Sequence, residues 1–227
     1  MPQIDRSQNI SQREIHRPSF VTFTGVDERT SIAALQGLSG RYPIEWGVLV
    51  HPHPPGPLFA NADTIEKLRG AGLRLSAHVC DGYARAIAAG EEPRLNLAGF
   101  SRIQVNHGRN GATEEVIANV QAYAASRGLR AALQCSGAFP ADGRVDWLYD
   151  VSFGEGVKPS AFPALSQSFP LCGYSGGLGP DNVREVLSER LAVADGVPFW
   201  IDMESGVRTG AYLDIDKCQA VCAEVFG

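Results

Sequence analysis

Residues 172–183 read Cys172-Gly-Tyr-Ser-Gly-Gly-Leu-Gly-Pro-Asp-Asn-Val183, and residues 199–207 read Phe199-Trp-Ile-Asp-Met-Glu-Ser-Gly-Val207. Each is a short apolar run that ends in small residues, and each is followed by a segment with helical character. Small residues at a strand-to-helix turn let backbone N–H groups approach a ligand, and the helix N-terminus behind them adds partial positive charge. Two such turns on consecutive strands predict the last two units of a (β/α)8 barrel, where a split phosphate site is common.

Length and charge agree with a barrel that binds a small molecule. The chain has 227 residues, enough for one barrel, and its 44% hydrophobic content is ordinary for a globular domain. A net charge of −5, with no basic stripe among aromatic residues, predicts no nucleic-acid partner. No apolar run approaches the ~18 residues that span a bilayer, so we expect no membrane association.

The polar N-terminus has no apolar stretch of the kind that marks a secretory signal. We interpret residues 1–17 as a flexible leader and residues 18–227 as a single barrel domain. The cysteines lack zinc-site or disulfide-scaffold spacing, so reduced thiols in a cytoplasmic protein are the simplest interpretation.

Short β-rich runs alternate with helical patterns along the chain, which predicts a parallel β/α architecture. The predicted strands lie near Phe20–Phe23, Glu45–Val50, Arg74–His78, Arg102–Asn106, Ala131–Gln134, Trp147–Asp150, Leu171–Tyr174 and Phe199–Asp202. The predicted helices are Thr30–Leu38, Ala62–Ala71, Tyr83–Ala89, Ala112–Ser126, Pro180–Glu189 and Asp214–Val225, with Ser160–Ser168 short and weakly helical.

Two glycine and proline positions refine the helix boundaries. Gly128 is placed to stop the helix before it, and Pro180 is suited to a first helical turn. A doubly wound open sheet is the main alternative fold, but Phe23-Thr-Gly-Val-Asp27 after strand one has a single glycine where that fold has a glycine-rich turn.

In a barrel of this kind the function lies at the C-terminal ends of the strands. Polar or small residues follow every predicted strand, among them Thr24, His51, His78, Gln104, Asn106, Gln134, Asp150, Ser175, Asp202 and Glu204. These residues are the candidates for catalysis and ligand binding.

From these motifs the chain resembles the phosphoribosylanthranilate isomerases, which are ribulose-phosphate-binding barrels. The matching stretches are Ile103-Gln-Val-Asn-His-Gly108, Leu148-Tyr-Asp150 with the Gly154-x-Gly156-x-Lys158 loop, Ser175-Gly-Gly-Leu-Gly-Pro-Asp-Asn182 and Ile201-Asp-Met-Glu-Ser-Gly-Val207. The resemblance implies a phosphorylated small-molecule substrate, no cofactor, and a monomer or homodimer.

That family carries out an Amadori rearrangement, in which an aldose-amine becomes a ketose-amine. A carboxylic acid on strand six protonates the ring oxygen, and a base on strand one removes the C2 proton. The resemblance gives the acid's role to Asp150, with Asp202 as its neighbour on strand eight. An aspartate serves as an acid near neutral pH only where burial or a second carboxylate keeps it protonated.

The other site residues are also implied by the resemblance. The phosphate would be held by Gly154, Gly156, Gly176, Gly177, Ser205 and Gly206. The remaining polar groups at the strand ends would contact the substrate, namely Gln104, Asn106, His78, His51 and Lys158.

Three departures alter the base and the aglycone end of the site. Thr24 occupies the position of the family's catalytic cysteine, and a threonine hydroxyl is a very poor base without an activating partner. The loop beginning at His51 lacks the arginine that holds the anthranilate carboxylate in the family. Arg208 stands where the family has an acidic residue.

The histidines support a second hypothesis. Four of them follow predicted strands, namely His51, His53, His78 and His107. With Asp27 or Asp202 they would suit a metal such as Zn²⁺ in a hydrolase or lyase, or one would replace the missing cysteine as a base. Alternatively, polar residues simply collect on the open face of a barrel, and we expect no bound metal.

The sequence therefore predicts a sugar-phosphate isomerase with Asp150 as the general acid and with Thr24 and Asp202 beside it at the reacting centre. The base is unassigned, and Asp202 or a histidine at the strand ends is the candidate. A phosphate-binding or regulatory barrel that lacks catalysis is the alternative favoured by Thr24. A metal-dependent hydrolase or lyase is the third possibility.

Overall fold

Eight parallel strands form a closed barrel with helices between them, which confirms the predicted (β/α)8 fold. The computed structural model describes residues 15–54, 56–107, 112–152 and 157–227. The barrel strands are β1 (Phe20–Thr24), β2 (Ile44–Val50), β3 (Leu75–Val79), β4 (Arg102–Val105), β5 (Arg130–Cys135), β6 (Asp146–Tyr149), β7 (Cys172–Tyr174) and β8 (Phe199–Met203). All eight predicted strands are present within one or two residues of their expected positions.

The helices cover the outside of the barrel. They are α1 (Ile32–Ser39), α2 (Ala62–Arg69), α3 (Asp81–Ala88), α4 (Glu114–Ala125), α5 (Val183–Glu185), which continues as a π-helical turn (Val186–Arg190), and α6 (Ile215–Phe226). A short antiparallel pair, β9 (Arg208–Thr209) and β10 (Tyr212–Leu213), follows the barrel. The N-termini of α1, α2 and α4 are capped by side chains of Ser31, Asn61 and Thr113, as expected for these residue types.

Two local predictions were wrong. The segment 160–168 contains no helix and instead forms a β-bridge between Leu165 and Val193. Pro163 accounts for this, because proline removes a backbone donor and disfavours helical geometry in the residue before it. Pro180 is not in the first helical turn, since Asn182 bonds to Gly177 and Gly179 and α5 begins only after that turn.

A buried ion pair fills the N-terminal half of the barrel interior. Arg102 donates to Glu45, which also accepts hydrogen bonds from Thr22 Oγ1 and Arg74 Nε, both at 3.1 Å. The Arg102 guanidinium lies 4.3 Å from the ring centroid of Trp200. Burying these charges costs free energy unless they are paired, and here they are paired within one network.

Glycine makes room for the large interior side chain of Trp200. A Cβ added to Gly173 on β7 would lie 2.3 Å from Cε2 of the Trp200 indole, closer than any real contact. Trp200 is completely buried. The pairing of a small residue with a large one on adjacent strands is what closes the packing inside a small barrel.

The described chain begins close to the barrel. The backbone N–H of His16 donates to the carbonyl of Leu187 at 3.2 Å. Most of the leader predicted for residues 1–17 lies outside the described residues, and its flexibility stays a prediction. Within the described ranges, no helix is long and apolar enough to cross a membrane.

We expect Gly173→Ala to lower the free energy of unfolding by about 1–3 kcal/mol, because its methyl group would collide with the Trp200 indole. Gly37→Ala in α1 is the matched control, since a Cβ there meets nothing within 4 Å and alanine favours a helix. Urea denaturation of the two variants checks this. Equal losses of stability would contradict the packing argument.

Candidate active site

A cavity of about 400 Å³ opens at the C-terminal ends of the barrel strands. Its polar wall contains Thr24, His78, Cys80, Asp81, Arg85, Gln104, Asn106, His107, Gln134, Asp150, Ser152, Ser175, Asp202, Glu204 and Ser205. This is the end at which barrels of this architecture place their active sites. The cavity volume suits a small ligand.

Asp202 on β8 is bound by the threonine at the end of β1. Thr24 Oγ1 donates to Asp202 Oδ1 at 2.9 Å and lies 3.4 Å from His78 Nδ1. A Cβ on Gly47 would lie 2.4 Å from the Thr24 hydroxyl and 3.1 Å from His78 Nε2, so only glycine on β2 leaves room for this arrangement. Asp202 Oδ2 has no protein hydrogen-bond partner among the described residues.

Burial controls the charges of this cluster. It raises the pKa of Asp202 to about 8, an effect that the Thr24 hydrogen bond and Arg102 oppose and that Glu45 and Glu204 increase. Burial, together with the positive charge of Arg102, lowers the pKa of His78 to about 3. Near neutral pH the imidazole is therefore neutral and the carboxyl is mostly protonated. The 3.9 Å approach of His78 Nε2 to Asp202 Oδ2 is then not an ion pair.

A chain of side-chain hydrogen bonds extends from this cluster across β4 to β3. Gln104 Nε2 lies 3.3 Å from His78 Nδ1 and donates to Asn106 Oδ1 at 3.0 Å. Asn106 Nδ2 in turn donates to the Cys80 sulfur at 3.3 Å. Burial raises the pKa of the Cys80 thiol to about 11 despite this hydrogen bond, so Cys80 is a poor replacement for the missing strand-one cysteine. The carbonyl oxygen Oε1 of Gln104 is buried without a partner.

Asp150, which follows β6, lies in a different environment from Asp202. Its Oδ1 accepts hydrogen bonds from the backbone N–H and the hydroxyl of Ser152, at 2.8 and 2.9 Å. Its Oδ2 accepts one from Gln134 Nε2 at 2.9 Å. Donors to both oxygens fix the orientation of the carboxyl group.

Two glycine-containing loops lie side by side at the end of β7 and β8. Gly176 and Gly177 have φ values of +112° and +61°, which are accessible to glycine with little strain. A Cβ on Gly206 would lie 1.9 Å from the carbonyl oxygen of Leu178, so the two loops touch through their backbones. Among the described residues, no acceptor is found for the N–H groups of Gly176 and Gly177. These groups are available to an anion.

The opposite side of the cavity is partly apolar. Leu49, Leu58 and Phe59 line it, and the ring of His51 packs edge-on against Phe59 with 5.4 Å between centroids. Here Arg85 on α3 also lines the wall, but it donates to Asp81. The Arg85 charge is therefore already matched by a carboxylate within the protein.

The structure brings most of the predicted site residues to one cavity. Those on its wall are Thr24, His78, Gln104, Asn106, Asp150, Gly176, Gly177, Asp202 and Ser205. Three others are not on the wall: His51 lies behind Phe59, Gly206 packs on the β7 loop, and Lys158 is exposed. Gly154 and Gly156 lie outside the described residues.

Two charged residues near the site have structural partners. Arg208 donates to the carbonyls of Gly25 at 3.2 Å and Ala211 at 2.8 Å. Asp27 accepts from the backbone N–H groups of Arg29 and Leu213, at 2.9 and 2.8 Å. Arg208 and Asp27 thus tie the β1 loop to the segment after β8.

The structure does not assemble a metal centre from the histidines. Within residues 15–54, 56–107, 112–152 and 157–227, no group of three or more histidine, cysteine, aspartate and glutamate side chains could hold an ion. The metal-dependent hydrolase hypothesis therefore gains no support from these residues.

Several residues that the cavity contains received no role from the sequence. Ser152 and Gln134 hold Asp150, while Cys80 and Glu204 line the wall. Gln134 and Glu204 were among the candidates at the strand ends, and Glu204 follows Trp200 and Asp202 at intervals of two, the spacing of one face of a strand. Burial raises the pKa of Glu204, Arg208 opposes the effect, and the charge of Asp150 adds to it.

Comparison with solved structures agrees with this architecture. The chain is similar to N-(5'-phosphoribosyl)anthranilate isomerase from Pyrococcus furiosus, with a TM-score of 0.51, 15% identity, and coverage of 91% of this chain and 98% of that one. It is also similar to phosphoribosyl anthranilate isomerase from Thermococcus kodakaraensis, with a TM-score of 0.54, 16% identity, and coverage of 92% and 99%. The sequence matches no protein-family model and no curated protein.

These findings define a (β/α)8 barrel with a polar cavity at the C-terminal ends of its strands. More narrowly, its fold is that of the phosphoribosylanthranilate isomerases, as the sequence motifs predicted. At 15–16% identity the similarity establishes the fold and not the reaction.

The raised pKa of Asp202 predicts a pH-dependent cost to stability. The folded state holds the Asp202 proton up to a pKa of about 8, well above the ordinary aspartate value of 3.8. The contribution of Asp202 to stability is therefore fully present below about pH 4 and is lost as pH rises towards 8. We expect Asp202→Asn, which does not titrate, to gain stability relative to the wild type between pH 5 and pH 8. Urea denaturation at both values checks this, and an unchanged difference would contradict it.

Proposed function

We propose that the protein is an aldose–ketose isomerase of the Amadori type that acts on a phosphorylated sugar. The observation that carries this proposal is the pair Asp150 and Asp202, which reach one cavity from β6 and β8 in contrasting environments. Proton abstraction next to a carbonyl or imine carbon needs one group that donates and one that accepts. Two carboxyls whose environments differ in this way meet that need.

The phosphate is proposed to bind at the adjoining loops after β7 and β8. Backbone N–H groups of Gly176 and Gly177 are available there, and Ser205 lines the same region. Arg85 is the only lysine or arginine among the described wall residues, and it lies on α3 with Asp81. The proposed phosphate site therefore uses backbone dipoles rather than basic side chains.

The environments of the two aspartates suggest an assignment of the acid that differs from the one implied by the resemblance. Asp202 is the proposed acid, because burial keeps it protonated near neutral pH and its Oδ2 is free of protein partners among the described residues. Asp150 is the proposed base, because its two oxygens accept three hydrogen bonds that hold the carboxyl group in place on the cavity wall. Thr24 is a positioning residue that orients Asp202.

The chemistry balances with these two groups alone. The bond from C1 to the ring oxygen breaks as Asp202 protonates that oxygen, and the nitrogen lone pair forms an iminium with C1. Asp150 then removes the C2 proton, and the electrons of that bond form the C1=C2 double bond of an enaminol. Return of that proton to C1, with loss of the C2 hydroxyl proton to Asp202, gives the ketose-amine and restores both carboxyls.

We expect the wild type to exchange the C2 hydrogen of D-ribose 5-phosphate with solvent deuterium, and to turn over N-(5'-phosphoribosyl)anthranilate or a related glycosylamine. Asp150→Asn and Asp202→Asn should each reduce the rate by about 10²–10⁴-fold, the usual contribution of one acid or base. Proton NMR and the fluorescence of the anthranilate compound measure these rates. Glu66→Gln, on the exposed face of α2, is the matched control.

The outcomes separate the candidate functions. Exchange that survives both aspartate changes would contradict the proposed site. Binding of ribose 5-phosphate without exchange or turnover would favour the phosphate-binding barrel that lacks catalysis. Absence of both would contradict the sugar-phosphate proposal itself.

The pH profile tests the assignment of the acid. If protonated Asp202 donates to the ring oxygen, kcat/KM falls as pH rises through about 8, the pKa of that carboxyl. Thr24→Val removes a hydrogen bond that lowers this pKa and should move the fall to higher pH, whereas Thr24→Ser retains the hydroxyl and should not. An activity that rises through pH 8 would give Asp202 the role of base instead.

A further inference from the structure

Among the described residues, the wall of the cavity has more acidic than basic side chains. The acidic ones are Asp81, Asp150, Asp202 and Glu204, and the basic one is Arg85. Arg85 already donates to Asp81. Glu204 therefore has no cationic side chain beside it on the described part of the wall.

Glu204 is an acidic wall residue that the proposed chemistry does not use. It lies two residues after Asp202 on the wall of the same cavity, and its side chain has no hydrogen bond or ion pair within 4 Å in the described part of the chain. The basic group that acts on it electrostatically is Arg208, whose guanidinium is instead bonded to the carbonyls of Gly25 and Ala211. Glu204 also acts electrostatically on Asp202 and on Cys80, which follows β3.

A second observation points to a ligand group rich in donors. Gln104 is 3% exposed and lines the cavity, and its carbonyl oxygen Oε1 has no partner among the described residues. Its amide nitrogen is occupied by Asn106 and His78, which fixes the orientation of Oε1. A buried acceptor without a donor costs free energy, and a ligand N–H group would remove that cost.

We propose that Glu204 and Gln104 form a receptor for a cationic nitrogen, so that the ligand of this cavity carries a basic amino group rather than an aromatic carboxylate. A protonated amine supplies positive charge for Glu204 and N–H donors for Gln104 Oε1. On the described part of the wall, Leu49 and Leu58 are apolar and Arg85 is paired with Asp81, so none of these three side chains offers a partner for a second negative charge.

The amine receptor rests on the proposed isomerase function, which supplies the sugar phosphate that would carry the amine. An iminium develops at C1 when the ring opens, next to the oxygen that Asp202 protonates. A carboxylate on the same strand as the acid is placed to stabilise that positive charge. Glu204 would then stabilise the iminium as it forms and bind the protonated amine of the ketose-amine product.

Isothermal titration calorimetry with matched probes tests the receptor directly. The probes are 1-amino-1-deoxy-D-ribitol 5-phosphate and D-ribitol 5-phosphate, which differ only by an ammonium in place of a hydroxyl, and the two corresponding compounds without phosphate. We expect the wild type to bind the amine of each pair roughly tenfold more tightly at pH 7, the scale of a charge-assisted hydrogen bond. Glu204→Gln should abolish this preference and leave the affinity for D-ribitol 5-phosphate within about twofold.

Each result has a definite meaning. Equal affinities for amine and hydroxyl in the wild type would overturn the proposal without use of any variant, and so would an undiminished preference in Glu204→Gln. Glu204→Asp, which keeps the charge, should retain part of the preference. If the amine is preferred but phosphate adds no affinity in either pair, the receptor stands and the sugar-phosphate function fails. If phosphate adds affinity and the amine does not, the reverse holds.

Discussion

The buried ion pair between Glu45 and Arg102 supports the rest of the barrel. It fills the interior beneath the cavity, with Thr22 and Arg74 completing the hydrogen bonds of the carboxylate. Removal of Glu45 would leave the buried guanidinium of Arg102 without a carboxylate, at a cost of about 3–5 kcal/mol. The ion pair is therefore required for a stable fold, and the electrostatic field of its two charges always acts on the cavity above it.

That field links structural stability to the chemistry of the site. Arg102 lowers the pKa of both His78 and Asp202, whereas Glu45 raises that of Asp202. Burial is the larger influence on both groups and leaves them neutral near pH 7. The resulting cluster consists of neutral hydrogen-bonding groups, Thr24 and His78, around the protonated carboxyl of Asp202. Asp150, in the same cavity, instead accepts hydrogen bonds on both of its oxygens. The difference between the environments of Asp202 and Asp150 follows from packing. It arises with Thr24, and not a cysteine, at the end of β1.

The sequence predicted the barrel well because each strand is a short apolar run bounded by turn residues, and the glycine loops after β7 and β8 could be located directly. It could not rank the polar residues at the strand ends. His78, Thr24 and Asp202 lie far apart in the chain and meet only through barrel closure, in space that Gly47 leaves open. Likewise, nothing in the sequence around Asp150 distinguishes a hydrogen-bonded carboxylate from a buried acid, because Gln134 and Ser152 approach it through tertiary structure.

The backbone contact between Gly206 and Leu178 has a consequence for how the barrel could change its specificity. No side chain separates the β7 and β8 loops, so neither loop can shift without displacing the other. The opposite rim consists of side chains such as Leu58 and Phe59 on a separate loop after β2. One half of the cavity is thus a fixed backbone surface, and the other can be exchanged residue by residue. Redesign for a new ligand would keep the backbone surface of the β7 and β8 loops and vary the side chains of the loop after β2.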